Sequence, residues 1–411
     1  MIGDKIKKIL LIFMGVVVIF AGILILVSTI SSKKKSDDSE VLVDKIEVED
    51  FVKASENDAK KKTEATTEMT TETTTEAAVA TRLDATKTER ASSGDFVPKE
   101  VTLEDDKEAP VFLISASNIN VVRGTNFNIH DHIGYGDDVD REVELVMDGN
   151  VDTSTNGDYP ITLTLKDDAG HTKTASVKVS VIDSAPSDSG GSSRHDTESF
   201  SEFKEKYGNG NVSFGLDVSR WQKDIDFNKV KAAGCDFVIM RIGGYDDGEN
   251  YTDAKYDYNI RAAKEAGLKV GIYWHAEESS PEEVKGNIDY LLNVLDGEKL
   301  DFPIAYDWED FLKFEEHGMN INDLNNCYET FASELEAKGY ETCIYSSKNF
   351  LQTVWKNEYD HKIWLAHYTS QTDYTGDYYM WQHTSVGRID GISTDVDFNI
   401  LYLDRFNGAE E

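Results

Sequence analysis

Eight short apolar runs recur through the last half of this chain, and their spacing constrains the fold more than any other feature. They read SFGLDVS, DFVIMRI, LKVGIYWHA, FPIAYDW, ETCIYSS, KIWLAHY, YYMWQHT and TDVDFN. Runs that are nearly continuous in apolar residues are strands buried on both faces. Amphipathic stretches lie between several of them, at residues 253–266, 281–295 and 321–338. Gly267 and Gly339 follow two of these stretches directly, as helix C-termini require. Strand–helix alternation across residues 212–411 predicts an α/β domain, an irregular TIM-like β/α barrel. Some connections are too short for a helix, so the barrel should lack several.

The first half is built differently. Residues 9–30 form a 22-residue run without a charge, long enough for a membrane-spanning helix. Lys5, Lys7 and Lys8 precede it and Lys33, Lys34 and Lys35 follow. Its length, and the Val-Ser-Thr-Ile-Ser-Ser ending, favour an uncleaved anchor over a signal peptide. Residues 1–35 are therefore expected to be a cytoplasmic tip and transmembrane anchor, with everything after them outside the cell membrane. Residues 36–108 read as an extended spacer. Within it TEATTEMTTETTTE carries eight threonines and four glutamates and offers nothing apolar to pack. Residues 109–183 change to short alternating runs broken by Gly, Asn and Asp turns, the pattern of a small antiparallel all-β sandwich. Residues 184–211 read as a linker, with a brief helix near 200–207.

Composition removes some functions. With 77 acidic and 42 basic residues the chain carries a formal charge of −35, so nucleic acid is not an expected partner. Three scattered cysteines, Cys235, Cys327 and Cys343, make neither a disulfide framework nor a zinc motif; Cys327 and Cys343 would pair only if a helix and the next strand bring them together. Asp137, Asp138 and Asp140 form an acidic loop that would either bind calcium or simply be solvated.

In a β/α barrel the chemistry sits at the C-terminal strand ends. Those ends carry Asp217 on the first strand, Tyr273 and His275 on the third, and Asp307 and Glu309 on the fourth. Trp364 and Tyr368 follow on the sixth, Trp381, Gln382 and His383 on the seventh, and Asp395 and Asp397 on the eighth. Alternation with period two puts Asp307 and Glu309 on one face. Like charges that close cannot both ionise cheaply, which sets up a general acid beside a carboxylate. Acids among aromatic rings suit a saccharide, whose C–H faces stack on rings while its hydroxyls need polar partners. The DxE alone would equally be a solvated edge or a metal site.

These motifs together resemble known families. GLDVSRWQ, VGIYWHA, the DxE of IAYDWED, IWLAHY and MWQHTSVGRIDGISTDVDFN, in that order, are similar to glycoside hydrolase family 25, the Chalaropsis-type lysozymes. Residues 157–171, GDYPITLTLKDDAGH, resemble bacterial immunoglobulin-like surface domains. The first resemblance implies an N-acetylmuramidase acting on peptidoglycan glycan strands, with no metal and no organic cofactor. It implies Glu309 as proton donor, its pKa raised by neighbouring acids and tryptophan burial. Asp307 would keep that geometry, and Asp217 and Asp397 would orient the sugar or stabilise its positive transition state. The substrate-binding set is expected to be Tyr273, His275, Trp364, Tyr368, Trp381, Gln382 and His383. Trp274-His275 and His383 depart from the usual aromatic residues at those places. A non-catalytic wall-binding protein is the alternative, with the sandwich holding a wall or protein partner; it should have lost one of the four acids. A metal-dependent sugar enzyme would need a His/Asp ligand cluster at metal spacing, which the sequence does not display.

Overall fold

The structure is a computed structural model in which residues 96–184, 197–356 and 360–407 are described. The apolar run at residues 9–30 and the Thr/Glu-rich segment lie outside them. Among the described residues no helix is long and apolar enough to cross a membrane.

The sandwich contains six strands. Strands β2 (Asn118–Val122), β6 (Thr172–Ile182), β5 (Gly157–Lys166) and β4 (Glu144–Asp148) form one sheet in that order. Strands β1 (Val111–Ile114) and β3 (Gly134–Gly136) pair separately. Ile161, Leu163 and Leu165 of β5 alternate inward with Val177 and Val179 of β6, burying one face. Against the antiparallel expectation, β2 runs parallel to β6. The two strands come from opposite ends of the domain, so the intervening chain serves as the long connection a parallel pair needs.

The second domain is a closed eight-stranded barrel. Strands β7 (Val212–Val218), β8 (Phe237–Asp246), β10 (Lys269–Ala276), β11 (Ile304–Trp308), β12 (Thr342–Ser347), β13 (Lys362–Ala366), β14 (Met380–Gly387) and β15 (Val396–Tyr402) pair in that order, and β15 returns to β7. Strand β9 (Glu249–Thr252) is appended to β8. Neighbours are parallel except β15, which is antiparallel to both β14 and β7. The connection from β14 to β15 leaves no room for a crossover helix, so the chain simply turns back. Helices α2 (Phe227–Ala232), α3 (Tyr256–Glu265), α4 (Pro281–Leu295) and α5 (Ile321–Glu336) cover the outside, the last three where the amphipathic stretches fall. The larger core lies between strands and helices, and a second one, around Phe237, Trp364 and Met380, fills the interior. All three cysteines are buried and free. Cys327 belongs to the outer core and Cys343 to the inner one, so strand β12 separates them.

Two boundaries move. Residues 96–108, assigned to the spacer, lie against α5: Lys99 N–H donates to Asn326 Oδ1 at 2.9 Å, and Asn322 Nδ2 donates to the Lys99 carbonyl at 2.7 Å. Helix α1 (Phe200–Tyr207), assigned to the linker, buries Phe200 and Phe203 against the barrel. A Ser199/Glu202 capping box starts it. The sandwich also docks on the barrel. Gly134 meets the backbone of Phe311, and Arg141 makes a two-pronged ion pair with Asp323 at 2.7 and 3.0 Å.

Candidate active site

Strands β7 and β15 bring Asp217 and Asp397 opposite each other in register. Because β15 is reversed, Asp397 reaches this rim from the N-terminal end of its strand, whereas Asp217 sits at the C-terminal end of β7. On the next strands His275 pairs in register with Asp307. Asp307 and Asp217 raise each other's neighbours electrostatically: both act on Tyr273 and on Tyr345. Glu309 acts on Asp307, Tyr345 and Tyr368, and Asp397 on Tyr273 and Tyr368. The four acids therefore converge on one end of the barrel.

Asp217 is held by side-chain amides. Gln382 Nε2 and Asn399 Nδ2 both donate to its Oδ2, at 2.9 and 2.7 Å. Gln382 Oε1 in turn accepts from the hydroxyls of Tyr345 and Tyr368, at 2.8 and 2.9 Å. Asn399 Oδ1 accepts from Trp364 Nε1 at 2.8 Å. Every polar atom of both amides that meets this network has a partner of the right kind, which fixes their orientation. Trp364 is buried inside the barrel and so forms the floor of the site, while Tyr368 is partly exposed at the rim.

Asp307 is the perturbed acid. It is buried, its Oδ1 lacks a hydrogen-bond partner, and burial followed by the charge of Glu309 pushes its pKa well up. Arg241 of β8 opposes that shift. Arg241 is itself buried, anchored by Nε to Asp253 at 3.1 Å. Glu309 departs from expectation, because it is exposed. The tryptophan next to it does not cover it: the Trp308 ring points to the outer core, packing on Phe311, Phe314 and His317 at 4.9, 5.6 and 5.2 Å. Alternation along the strand explains this, since Trp308 must face opposite to Asp307.

Outside the barrel a buried carboxylate braces the same strand ends. Glu278 accepts from Trp274 Nε1 at 2.9 Å, Asn287 Nδ2 at 3.1 Å and the Tyr306 hydroxyl at 3.4 Å. Its carbonyl accepts from Trp308 Nε1 at 3.2 Å. Strands β10 and β11 are thus pinned to each other and to α4 just where His275 and Asp307 emerge.

Two expected groove residues are elsewhere. Trp381 and His383 flank Gln382 and therefore face outward, against α1. Trp381 Nε1 donates to the His367 carbonyl at 2.8 Å, and His383 stacks on Phe203 at 5.6 Å and bonds Glu198 at 2.9 Å. Burial disfavours the charged form of both histidines. Burial, then Arg241, lowers His275 to about 4, and burial lowers His383. Tyr345, Arg241 and Asn399 were not singled out from sequence, although Tyr345 sits at the end of its strand by the rule used for the others. Glu277, two residues beyond His275, was also missed. Burial, then Asp246 and Asp310, pushes its pKa up to about 7.

Residues 216–392 match the glycosyl hydrolases family 25, and residues 113–181 match the bacterial surface protein, Ig-like domain. An autolytic lysozyme of Clostridium acetobutylicum is 29% identical over 187 residues, covering 45% of this chain and 54% of that protein. The chain thus spans about half the length of that relative. The uncharacterized protein YegX of Escherichia coli O157:H7 is 30% identical over 205 residues, covering 48% of this chain and 70% of that protein. The modular autolysin LytC of Streptococcus pneumoniae, solved in complex with a synthetic peptidoglycan ligand, aligns with a TM-score of 0.43 at 21% identity. That alignment covers 59% of this chain and 56% of that one. With an Ig-like domain ahead of its barrel, this chain belongs to the glycosyl hydrolases of family 25.

Proposed function

We propose that this chain is a membrane-anchored lysozyme that cleaves the β-1,4 bond between N-acetylmuramic acid and N-acetylglucosamine in peptidoglycan. The observation that carries the reading is the pairing of a buried Asp307, whose pKa burial and Glu309 push up, with an exposed Glu309, at the end of the barrel that also carries Asp217 and Asp397. Family membership and the name of the autolytic relative support the substrate. The uncharged run at residues 9–30, flanked by lysines, supports the anchor.

Burial, followed by the charge of Glu309, favours the protonated form of the Asp307 carboxyl. A sugar laid over Glu309 removes it from water as well, and the proton then passes to the carboxyl that meets the leaving oxygen. Glu309 gives that proton to the glycosidic oxygen as the C–O bond breaks. Asp217, oriented by Gln382 and Asn399, and Asp397 stabilise the positive charge that grows on the sugar ring, and a water then completes the hydrolysis, its oxygen bonding to the anomeric carbon and its proton returning to the Glu309 carboxylate. Tyr273, His275, Tyr345 and Tyr368 supply walls, and Trp364 the floor. A wall-binding relic would not need this acid set, and all four acids are present.

Digestion of purified peptidoglycan by the full chain, with mass analysis of the new reducing ends, tests the proposal. Ends in N-acetylmuramic acid are expected, and Glu309→Gln should fold but produce none. Ends in N-acetylglucosamine would overturn the choice of bond, and no ends at all would overturn the activity.

A further inference from the structure

A second cluster of acids lies far along the chain from the barrel mouth, where three loops of the sandwich meet. Asp106 comes from the segment ahead of β1, Asp137 and Asp140 from the loop between β3 and β4, and Asp167 from the turn between β5 and β6. Carboxylate oxygens of Asp106, Asp137 and Asp140 all lie within 4.8 Å of one another. Asp106, Asp167 and His171 form a second such group that shares Asp106. The side chain of Asp106 is completely buried, yet neither of its oxygens has a hydrogen-bond partner. Asp137 is buried as well. Its Oδ1 accepts from the backbone N–H groups of Val139 and Asp140, both at 2.8 Å, and its Oδ2 has no partner.

An unpartnered buried carboxylate is costly, and several together are more so. The cations at hand are poor compensation. His171 Nδ1 lies 3.4 Å from Asp106 but is closer to Asp167, at 3.1 Å, and Lys356 approaches only Asp138, at 3.5 Å. Burial, then the charge of Asp167, pushes the pKa of Asp106 up, and burial raises that of Asp137. Oxygens bound to one ion at about 2.4 Å lie at most about 4.8 Å apart, which is the calcium range. The donors are hard carboxylates with no thiolate, which also favours calcium over a transition metal.

We propose that Asp106, Asp137 and Asp140 hold a calcium-class divalent cation, with Asp167 beside it. The ion fastens the segment ahead of β1 to the loop by which the sandwich grips the barrel. In that loop the Asp137 carbonyl accepts from Ile321 N–H at 2.8 Å, and the Val139 carbonyl accepts from Asn320 Nδ2 at 2.6 Å. Both donors belong to the N-terminus of α5, so the ion stiffens the joint between the two domains.

Calcium chloride titrated calorimetrically into the full chain, solubilised in detergent and stripped with chelator, tests this. About one calcium per chain should bind, magnesium chloride should bind more weakly, and calcium should raise the melting temperature by several degrees. Asp106→Asn should lose both responses. Without calcium it should melt no lower than the unaltered chain, because it removes a buried unpartnered charge. Glu309→Gln should keep the calcium response; loss there would move the ion to the barrel mouth and overturn the assignment. No binding up to about 5 mM calcium, or undiminished binding by Asp106→Asn, would overturn it as well.

Discussion

Alanine at position 134 tests whether the sandwich holds the strand end that carries Glu309 in place. A Cβ on Gly134 would lie 1.8 Å from the Phe311 carbonyl oxygen, where ordinary contact begins at 3.4 Å. Roughly 1.5 Å must be found by moving one backbone away from the other. Neither moves freely. Gly134 is paired to Ile114 in β1, and Phe311 is pinned by its buried ring, stacked on Phe350 at 3.7 Å. Its backbone conformation suits any L-residue, so the effect is steric alone. The cost should be about 1–3 kcal/mol, felt first in the Arg141–Asp323 pair and the bonds at the start of α5. Phe311 N–H also donates to the Glu309 carbonyl at 2.7 Å, so the strain reaches the proposed proton donor directly. A misplacement of about 1 Å there costs about a hundredfold in rate. Gly134→Ala should therefore lower kcat about 10- to 100-fold on purified peptidoglycan, with KM little changed and circular dichroism intact. A melting temperature that falls while kcat stays normal would refute the buttress and leave the sandwich a mere neighbour.

Other expectations follow from single residues. Asp307→Asn should abolish activity yet stabilise the fold at neutral pH. A carboxyl whose folded pKa is raised contributes its full stability below its ordinary value of 3.8 and loses it as pH climbs through the folded value; urea melts of the two proteins should agree in acid and separate above it. Gly286, exposed within α4 with nothing within 4 Å of an added Cβ, should gain about 0.5–1 kcal/mol as alanine, read from the same melts, with activity unchanged. Asn399→Ala leaves Trp364 Nε1 unpaired and frees one side of Asp217, so it should cost about 1–3 kcal/mol and lower kcat more than it alters KM. With a net charge of −35, the chain should digest anionic walls faster at about 150 mM salt than at about 10 mM; equal rates would remove repulsion as a factor.

The eight strands were legible because each is buried on both faces and so reads as an unbroken apolar run, and acids interrupting such runs at their ends stand out. The same property hid the facing of side chains. In MWQHT the period of two says that Trp381 and His383 share a face opposite Gln382, but a strand covered on both sides does not say which face is inward. Helix α1 decides it, by placing Phe203 and Tyr207 against the outer pair, and that helix comes from a stretch read as linker. Glu309 shows the same limit. Its partnership with Asp307 follows from spacing, whereas its exposure depends on Trp308 turning into a core built from residues 311–317. Arg241 carried a signal that went unused, a lone cation inside DFVIMRI, and a charge kept in a buried strand calls for nearby anions. Here the anions are Asp253, which anchors it, and Asp307, whose shift it restrains. Arg241 thus gives the mouth of the barrel a buried, permanently charged counter-ion, whereas Asp106 has only His171 nearby, at 3.4 Å and closer to Asp167, so that cluster draws the rest of its counter-charge from solution.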